Sequence, residues 1–429
     1  MKKISAVLLV LVLVGSVAFA GFTGYARTGI GYNLDTDAYG FIRKATSATI
    51  DVTLNEFVGA AKTEGDIYVD IKATLAFTFD NADAGNIAAP GLDPTPVDID
   101  LTFNHAKIVA KDWYVGILNA VRPANFATSA IDSSDSYGRA DNDLDFSYDN
   151  PDYYADVAPR YYVVRNDGVE VGYKGYVLGL GLNGNADAET YNMYASVTTP
   201  AYELADGITA KFGVSGRVDD SDNAVAGSVK FAYEADEITA SVAADLIYDN
   251  SEMLADVAVK ASYDIFSMDA YFATDEIYVN TDDAVQNVTG KENLLSAKVA
   301  VDLDPMTVTV TAKDILNTQD LSASVKYQLT NELAVTARGG YVIDTEAWNG
   351  GADVEYKTVD YTAKAGGTFR STDRISLSAS VESTTIIPGA TLKLAYAGDD
   401  ITDVDAYDPL NKRDNGNKGM VYAEVKIAF

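Results

Sequence analysis

The chain of 429 residues contains no cysteine, one histidine and two tryptophans. The absence of cysteine excludes disulfide scaffolds, zinc–cysteine sites, thiol nucleophiles and lipid attachment through an N-terminal cysteine. A Ser-His-Asp hydrolase could use only His105, which has no serine motif near it, so we expect no enzymatic activity. Basic residues are scarce, 32 against 63 acidic, and the net charge of −31 argues against a nucleic-acid-binding surface.

A long apolar run occurs only at the N-terminus. Lys2 and Lys3 precede the apolar stretch 6–14, and Ala18-Phe19-Ala20 has the small-x-small form of a cleavage site. This pattern predicts a signal peptide over residues 1–20, because the apolar stretch is too short to span a membrane as a helix. We therefore expect an exported protein with a single domain over residues 21–429.

The rest of the chain alternates between apolar and polar residues with a period of two. In residues 66–80, for example, Ile71 and Leu75 fall on one face while Lys72 and Thr74 fall on the other. Acidic residues concentrate in the connections, and His105 is expected at a strand end, just beyond a strand over 97–103. The sequence shows no fixed internal repeat of the kind that would indicate a solenoid.

Turn signals separate these runs, and short connections alternate with longer polar ones. Asn166-Asp167-Gly168 is predicted to be a tight hairpin, and 303–305 is another short turn, whereas 80–96 and 121–160 are long. The pattern predicts an all-β fold, namely a transmembrane antiparallel up-and-down β-barrel. The number of strands is predicted to be even and about 22, in a range of roughly 16 to 22. Short periplasmic turns and longer external loops are expected to connect the strands. A secreted soluble β-protein is the alternative.

The chain ends on an alternating strand whose apolar face is Val421, Ala423, Val425, Ile427 and Phe429. A strand of this kind, ending on an aromatic residue, resembles the C-terminal strand of bacterial outer-membrane β-barrel proteins, where the terminal Phe is the assembly signal. Together with the signal peptide and the alternation, the chain resembles a general diffusion porin. Its size and acidity also resemble the β-type porins of bacterial outer sheaths, or togas.

The resemblance implies a location in the bacterial outer membrane, contact with its lipids, insertion by the barrel assembly machinery and a homotrimer. It implies an outer-membrane porin, a water-filled channel for passive diffusion of ions and small hydrophilic solutes, which requires no cofactor. It also implies that the third external loop, here 121–160, folds into the pore.

The polar face of such a barrel lines water, so strand parity predicts which basic residues form the pore wall. The candidates are Lys72, Lys211, Arg217, Lys230, Lys298, Lys326, Arg338 and Lys364. Charge arrays in an aqueous pore set its ion preference. The alternative is that each basic residue is a solvated side chain beside an acidic partner.

The long connection 121–160 is the most acidic part of the chain. Its candidate pore-constriction residues are Asp132, Asp135, Arg139, Asp141, Asp143, Asp145 and Asp149. An acidic loop opposite a basic wall would create a transverse field across the lumen. The alternative is an external loop exposed to water.

A divalent cation is a second hypothesis for this loop. Asp141, Asp143 and Asp145 begin a spacing that imitates the EF-hand calcium loop, but Phe146 stands where that loop requires Gly. We therefore predict, in place of an EF-hand, a looser calcium site among these carboxylates, where the cation relieves their mutual repulsion.

Two further functions stay open. Aromatic rings in and after the long connection could stack on pyranose rings, which would indicate a sugar-selective channel; they are Tyr137, Tyr148, Tyr153, Tyr154, Tyr161 and Tyr162. The other alternative is a structural or adhesive outer-sheath surface protein whose acidic loops bind cations or neighbouring molecules.

Overall fold

The computed structural model describes residues 20–34, 37, 39–41, 47–54, 67–79, 97–121, 124, 126–128, 131, 166–185, 190–219, 223–249, 252–274, 293–313, 315–316, 319–344, 346–371, 373–398, 401–402 and 418–428. Every regular element in these ranges is a β-strand. The strands are β1 Ala20–Asn33, β2 Tyr39–Phe41, β3 Ser47–Leu54, β4 Tyr68–Phe79, β5 Val97–Val109, β6 Trp113–Val121, β7 Asn166–Tyr173, β8 Tyr176–Asn185, β9 Thr190–Thr198, β10 Tyr202–Ala205, β11 Ile208–Asp219, β12 Asn223–Ala235, β13 Ile238–Asp249, β14 Glu252–Tyr263, β15 Phe266–Ala273, β16 Leu294–Asp302, β17 Met306–Lys313, β18 Asp320–Gln328, β19 Leu333–Val342, β20 Ala347–Lys357, β21 Thr362–Arg370, β22 Ile375–Ser383, β23 Ala390–Gly398 and β24 Met420–Ala428. Over the same ranges, no helix has the length and apolar character needed to cross a membrane.

Twenty-two of these strands form one antiparallel up-and-down sheet. Each of the 22 pairs with the next one along the chain, and the sheet closes on itself where β1 pairs with β24, from Tyr25 opposite Ala428 to Asn33 opposite Met420. The short strands β2 and β10 are additions to this ring, since β2 pairs with the end of β1 and β10 folds back on β11. The predicted all-β fold of about 22 strands is confirmed.

The closed sheet has two chemically different faces. Directly opposed residues on antiparallel neighbours share a face, so the strand registers assign the strand residues to one side or the other. One face carries widely exposed apolar side chains, such as Leu101 at 69% and Val214 at 58%, whereas the other includes Ser215 at 2% and Asp256 at 0%. Because a closed sheet is concave on its inside, the crowded polar face is the interior and the apolar face is the outer wall.

Aromatic rings pack together on the outer wall near both ends of the barrel. At one end Trp348 lies 5.4 Å from Phe369, and at the other Tyr356 lies 5.9 Å from Tyr361, measured between ring centroids. Tyr and Trp favour the level of the lipid headgroups, where the ring is apolar and the polar atom is wet. The outer wall therefore has the pattern of a surface that faces a bilayer.

The connections differ in length at the two ends of the barrel. At one end, which we call the turn rim, most connections are short, including 174–175, 236–237, 264–265 and 303–305. The opposite end, the loop rim, holds the long connection between β6 and β7. The predicted asymmetry has exceptions, because residues 55–67 make a long connection at the turn rim and 220–222 make a short one at the loop rim.

The predicted hairpin at Asn166-Asp167-Gly168 is wrong. These residues begin β7, where Gly168 pairs with Leu118 of β6. The hairpin lies at Lys174 and Gly175 instead, whose φ angles are +49° and +85°. Two successive residues with positive φ give the turn twist that matches antiparallel strands, and this requirement decides the position of the hairpin.

The predicted position of His105 at a strand end is also wrong. β5 continues to Val109, and His105 lies within it, opposite Lys72 of β4. The register shifts between Lys72 and Ala73, so an extra residue of β5 is accommodated at this point. Such a bulge interrupts the alternation of apolar and polar residues along the strand, because the residues after it change face.

Candidate functional site: the lumen wall

Part of the long connection after β6 lies against the inner face of the barrel. We call the residues Val121, Ala124, Phe126, Ala127, Thr128 and Ile131 the inner segment. Ala124 and Ala127 are each 1% exposed, and Ile131 is 6% exposed. Residues so buried after the end of a strand indicate that the chain turns into the barrel and packs on its wall.

The backbone of the inner segment is hydrogen-bonded to three successive strands, β11, β12 and β13. The Ala124 N–H donates to Ser215 Oγ at 2.7 Å, and Ser228 Oγ donates to the Ala124 carbonyl at 2.5 Å. The Phe126 N–H donates to Asp245 Oδ1 at 3.1 Å, and the Ala127 N–H donates to Asp245 Oδ2 at 2.8 Å. The segment therefore crosses these strands along the wall.

Small inward side chains make room for the inner segment. A Cβ on Gly179 would lie 2.5 Å from Val121 Cγ1, and a Cβ on Gly213 would lie 2.5 Å from Ala124 Cβ. Farther along the wall, Ala127 packs in a buried cluster whose other members are Ala243, Ala258, Tyr271, Ala273 and Leu294. The seat of the segment thus extends from β8 to β16.

The family resemblance predicted that the long connection enters the barrel, and the described residues at its start do so, but sequence reasoning missed the part of the wall on which they lie. Many inward positions on these strands hold small residues; examples are Gly179, Ser196, Gly213, Ser215, Ala243 and Ala258. Small residues at the inward positions of neighbouring strands leave a volume next to the wall that another part of the chain or water must fill. Only the three-dimensional arrangement shows that the inner segment fills it.

Two buried carboxylates lie beneath the inner segment. Asp245 on β13 is directly opposite Asp256 on β14, and their exposures are 1% and 0%. Tyr271 on β15 donates its hydroxyl to Asp256 Oδ2 at 2.9 Å. Buried acidic groups require hydrogen-bond donors, and here the donors are Tyr271 and the backbone of the inner segment.

All eight predicted pore-wall residues lie on the inner face of the barrel. By register and parity they are Lys72 on β4, Lys211 and Arg217 on β11, Lys230 on β12, Lys298 on β16, Lys326 on β18, Arg338 on β19 and Lys364 on β21. The structure distributes them around the ring and does not bring them into one cluster.

Acidic residues share this inner face, so the wall is not purely basic. Arg338 forms an ion pair with Asp353, and Lys364 Nζ lies 3.4 Å from Glu355 Oε2. Arg338 also donates to Thr368 Oγ1 at 2.9 Å. The interpretation that acidic residues concentrate in the connections is therefore incomplete. For Arg338 and Lys364, the structure shows the neighbouring acidic partner that the alternative hypothesis for the basic residues predicted.

One wall lysine adjoins the inner segment, and a second lies directly opposite it. Lys211 and Lys230 are directly opposite each other on β11 and β12, and Lys211 Nζ lies 5.1 Å from the centroid of the Phe126 ring. A cation over an aromatic face is attracted by the ring quadrupole, which helps to hold the Lys211 side chain. Positive charge thus lies next to the seat, on its turn-rim side.

The single histidine also faces the lumen. His105 Nε2 lies 3.2 Å from Asp70 Oδ2 on the neighbouring strand. The two side chains therefore lie side by side on the inner face of β4 and β5.

The remaining predicted site residues lie outside the described residues. They are the constriction candidates Asp132, Asp135, Arg139, Asp141, Asp143, Asp145 and Asp149, the tyrosines of the sugar hypothesis, and the assembly-signal residue Phe429. Within the part of the chain that the structure describes, no group of three or more His, Asp or Glu residues could hold a metal ion. The calcium site among Asp141, Asp143 and Asp145 stays a prediction.

Solved structures similar to the chain are β-barrels of the outer membrane. A Rhodopseudomonas blastica porin is 11% identical, with 59% of this chain and 98% of the porin covered and a TM-score of 0.33. The translocation pore of the P pilus usher PapC is 10% identical, with 95% and 99% covered and a TM-score of 0.41. The ferric enterobactin receptor PfeA of Pseudomonas aeruginosa is 8% identical, with 95% and 81% covered and a TM-score of 0.48.

No protein-family model matches the chain, and no curated protein matches it. With identities this low and TM-scores below 0.5, the likeness does not indicate what the chain does.

Proposed function

We propose that the chain forms a water-filled channel through which ions and small hydrophilic solutes cross a bacterial outer membrane passively. The observation that carries this proposal is the closed sheet with an apolar outer wall and a charged inner wall. Exposed apolar side chains such as Leu101 and Val214 suit contact with lipid. Charged inward side chains suit contact with water, because burying them without partners costs several kcal/mol, in the range of about 2 to 7 even for neutral polar groups.

The inner segment narrows the lumen from one side. Its contacts run from Gly179 on β8 to Leu294 on β16, so it covers one arc of the wall. The inner faces of β17 to β24 and of β1 to β5 form the other arc. In this proposal, solutes pass between the inner segment and the second arc, and the gap sets an upper limit on their size.

Part of the charge on the second arc is paired. Arg338 with Asp353 and Lys364 with Glu355 place opposite charges side by side on β19 to β21. The fields of two adjacent opposite charges largely cancel at a distance, and physiological salt screens the remainder beyond a Debye length of about 8 Å. We infer that this arc selects weakly between anions and cations, and that the acidic residues following the inner segment, from Asp132 to Asp149, contribute the transverse field.

Single-channel recording tests the channel itself. The detergent-purified protein is added to a planar lipid bilayer at nanomolar concentration, and heat-unfolded protein serves as the control. We expect stable open steps with a linear dependence of current on salt concentration. A silent bilayer with folded protein would contradict the channel and favour a structural or adhesive role for the barrel.

Assembly into a homotrimer is part of the same proposal and has its own test. The mass of the detergent-solubilised protein, measured by light scattering with correction for bound detergent, should be three times that of the chain. Insertion by the barrel assembly machinery is tested by removing Phe429, which should lower the amount of folded protein in the outer membrane. A monomer, or unchanged insertion without Phe429, would contradict the corresponding statement.

A further inference from the structure

We propose that Asp245 is a positioning residue that fixes the inner segment on the lumen wall and thereby sets the free width of the channel. The part of this proposal that concerns channel width rests on the proposed function. The part that concerns the position of the segment does not. The two parts can be tested separately in the same variants.

Asp245 binds the backbone of two successive residues of the inner segment. Its Oδ1 and Oδ2 atoms accept the Phe126 N–H at 3.1 and 3.2 Å, and Oδ2 also accepts the Ala127 N–H at 2.8 Å. Hydrogen bonds to a carboxylate are shorter and about twice as strong as neutral ones. Asp245 is 1% exposed, so lumen water does not compete for these bonds.

Two serines bind the backbone of Ala124, which precedes Phe126 in the inner segment. Ser215 accepts the Ala124 N–H, and Ser228 donates to the Ala124 carbonyl, so both polar groups of that residue are used. All these bonds involve the backbone of the inner segment. They hold the segment at a fixed place and direction on β11 to β13 independently of its side chains.

Asp256 and Tyr271 lie on the same inner face, on the two strands that follow β13. Asp256 is directly opposite Asp245, is fully buried, and accepts the Tyr271 hydroxyl at 2.9 Å. Neither carboxylate reaches the open lumen, so neither is placed to act on a passing solute. Of the two, Asp245 is the one that binds the backbone of Phe126 and Ala127, which explains its position if its role is to hold the inner segment.

Apolar contact does not by itself specify the position of the segment at this point. Ala127 contributes one methyl group to a cluster in which Ala243, Ala258 and Ala273 are equally small, and Tyr271, Leu294 and the adjoining Phe126 supply the larger side chains. Contacts between methyl groups are not directional, so they tolerate sliding of the segment along the wall. The bonds to Asp245 are directional and specify one position.

The first test uses Asp245→Asn and a cysteine introduced in place of Ala127. Because the chain has no cysteine of its own, Ala127→Cys gives a single reactive thiol. The amide of Asn offers one acceptor and two donors, so one backbone N–H of the segment loses its partner. We expect the thiol to react with a charged thiosulfonate at least about tenfold faster with Asp245→Asn than without it, as loss of a buried charge-assisted bond implies.

Two controls isolate the role of Asp245. Thr128 is exposed, so Thr128→Cys should react fast with or without Asp245→Asn. Asp269, on the inner face of β15, lies opposite Lys260 and Lys298, and Asp269→Asn should leave the rate at Ala127→Cys unchanged. Heat-modifiable gel migration selects the folded protein in each case. If Asp245→Asn does not fold, Ser228→Ala replaces it and should raise the rate by a smaller factor.

The second test is single-channel recording of Asp245→Asn. Release of the inner segment should raise the conductance and add fluctuations between levels. An equal labelling rate with and without Asp245→Asn would overturn the positioning role. Faster labelling with an unchanged conductance would overturn the statement about width. Labelling is measured in detergent micelles, so it reports on the segment even if the protein forms no channel.

Discussion

Lys107 on β5 and Glu170 on β7 form an ion pair of 3.0 Å across the strand that separates them. The residue between them in register is Gly116 of β6, which has no side chain to interrupt the pair. Tyr114 donates its hydroxyl to the same Glu170 oxygen at 2.7 Å, and its ring lies 4.6 Å from Lys107 Nζ. This group ties three strands together on the inner wall near the turn rim.

We expect Gly116→Ala to destabilise the barrel. The added Cβ would lie 2.5 Å from Lys107 Cγ and 3.0 Å from the Ala106 carbonyl oxygen. Overpacking of this kind costs about 1 to 3 kcal/mol. The free energy of unfolding is measured by denaturant titration in lipid vesicles.

Gly350→Ala is the matched control for this substitution. Gly350 lies on the outer face of β20, and no atom lies within 4 Å of the Cβ that would be added. Its free energy of unfolding should stay within about 0.5 kcal/mol of the original, as expected for surface substitutions. Equal effects of the two substitutions would contradict the explanation of Gly116.

We expect single removal of either charge in this pair to change ion preference in opposite directions. Lys107→Gln leaves Glu170 without its basic partner and should move the reversal potential toward cation preference. Glu170→Gln should move it toward anion preference. The double variant removes both charges and should return the reversal potential close to its original value. Two shifts in the same direction would show that these side chains do not line the conducting path.

Strand parity predicted the inner face well because a closed barrel must alternate between lipid and water. It placed Lys72, Lys298 and Lys326 on the face where the structure has them. Two local predictions were wrong: His105 lies within β5 because the strand continues through a bulge, and Asn166 begins β7 because strand pairing overrides the turn signal. The seat of the inner segment depends on contacts between residues about 90 to 120 positions apart, such as Ala124 with Ser215 and Phe126 with Asp245.

We expect the acidic part of the long connection to contribute to cation preference. Joint replacement of Asp141, Asp143, Asp145 and Asp149 by Asn removes four negative charges that follow the inner segment. If these residues reach the lumen, the reversal potential should move toward anion preference in a salt gradient. The control replaces Asp236 and Glu237, which form a turn-rim hairpin, by Asn and Gln. Equal shifts of the reversal potential in the two variants would contradict a special role of the loop acids in the conducting path.

We expect calcium to stabilise the folded protein through Asp141, Asp143 and Asp145. Binding to the folded state alone adds about 2.7 kcal/mol at a ligand concentration one hundred times Kd. The unfolding temperature should therefore rise with calcium, and the rise should vanish in the variant with Asn at these three positions. Magnesium and sodium at equal ionic strength separate binding from screening. An equal rise in the variant would argue against the site.

The central claim is that the polar face lines a water-filled lumen and the apolar face meets lipid. Neighbouring residues on β16 test it most directly, since Lys298 points inward and Val299 outward. Cysteine is introduced at each position of the cysteine-free chain, and a charged, membrane-impermeant thiosulfonate is added during single-channel recording. We predict a stepwise change in current for Lys298→Cys and none for Val299→Cys. No change for Lys298→Cys, or the same change for both, would contradict the account.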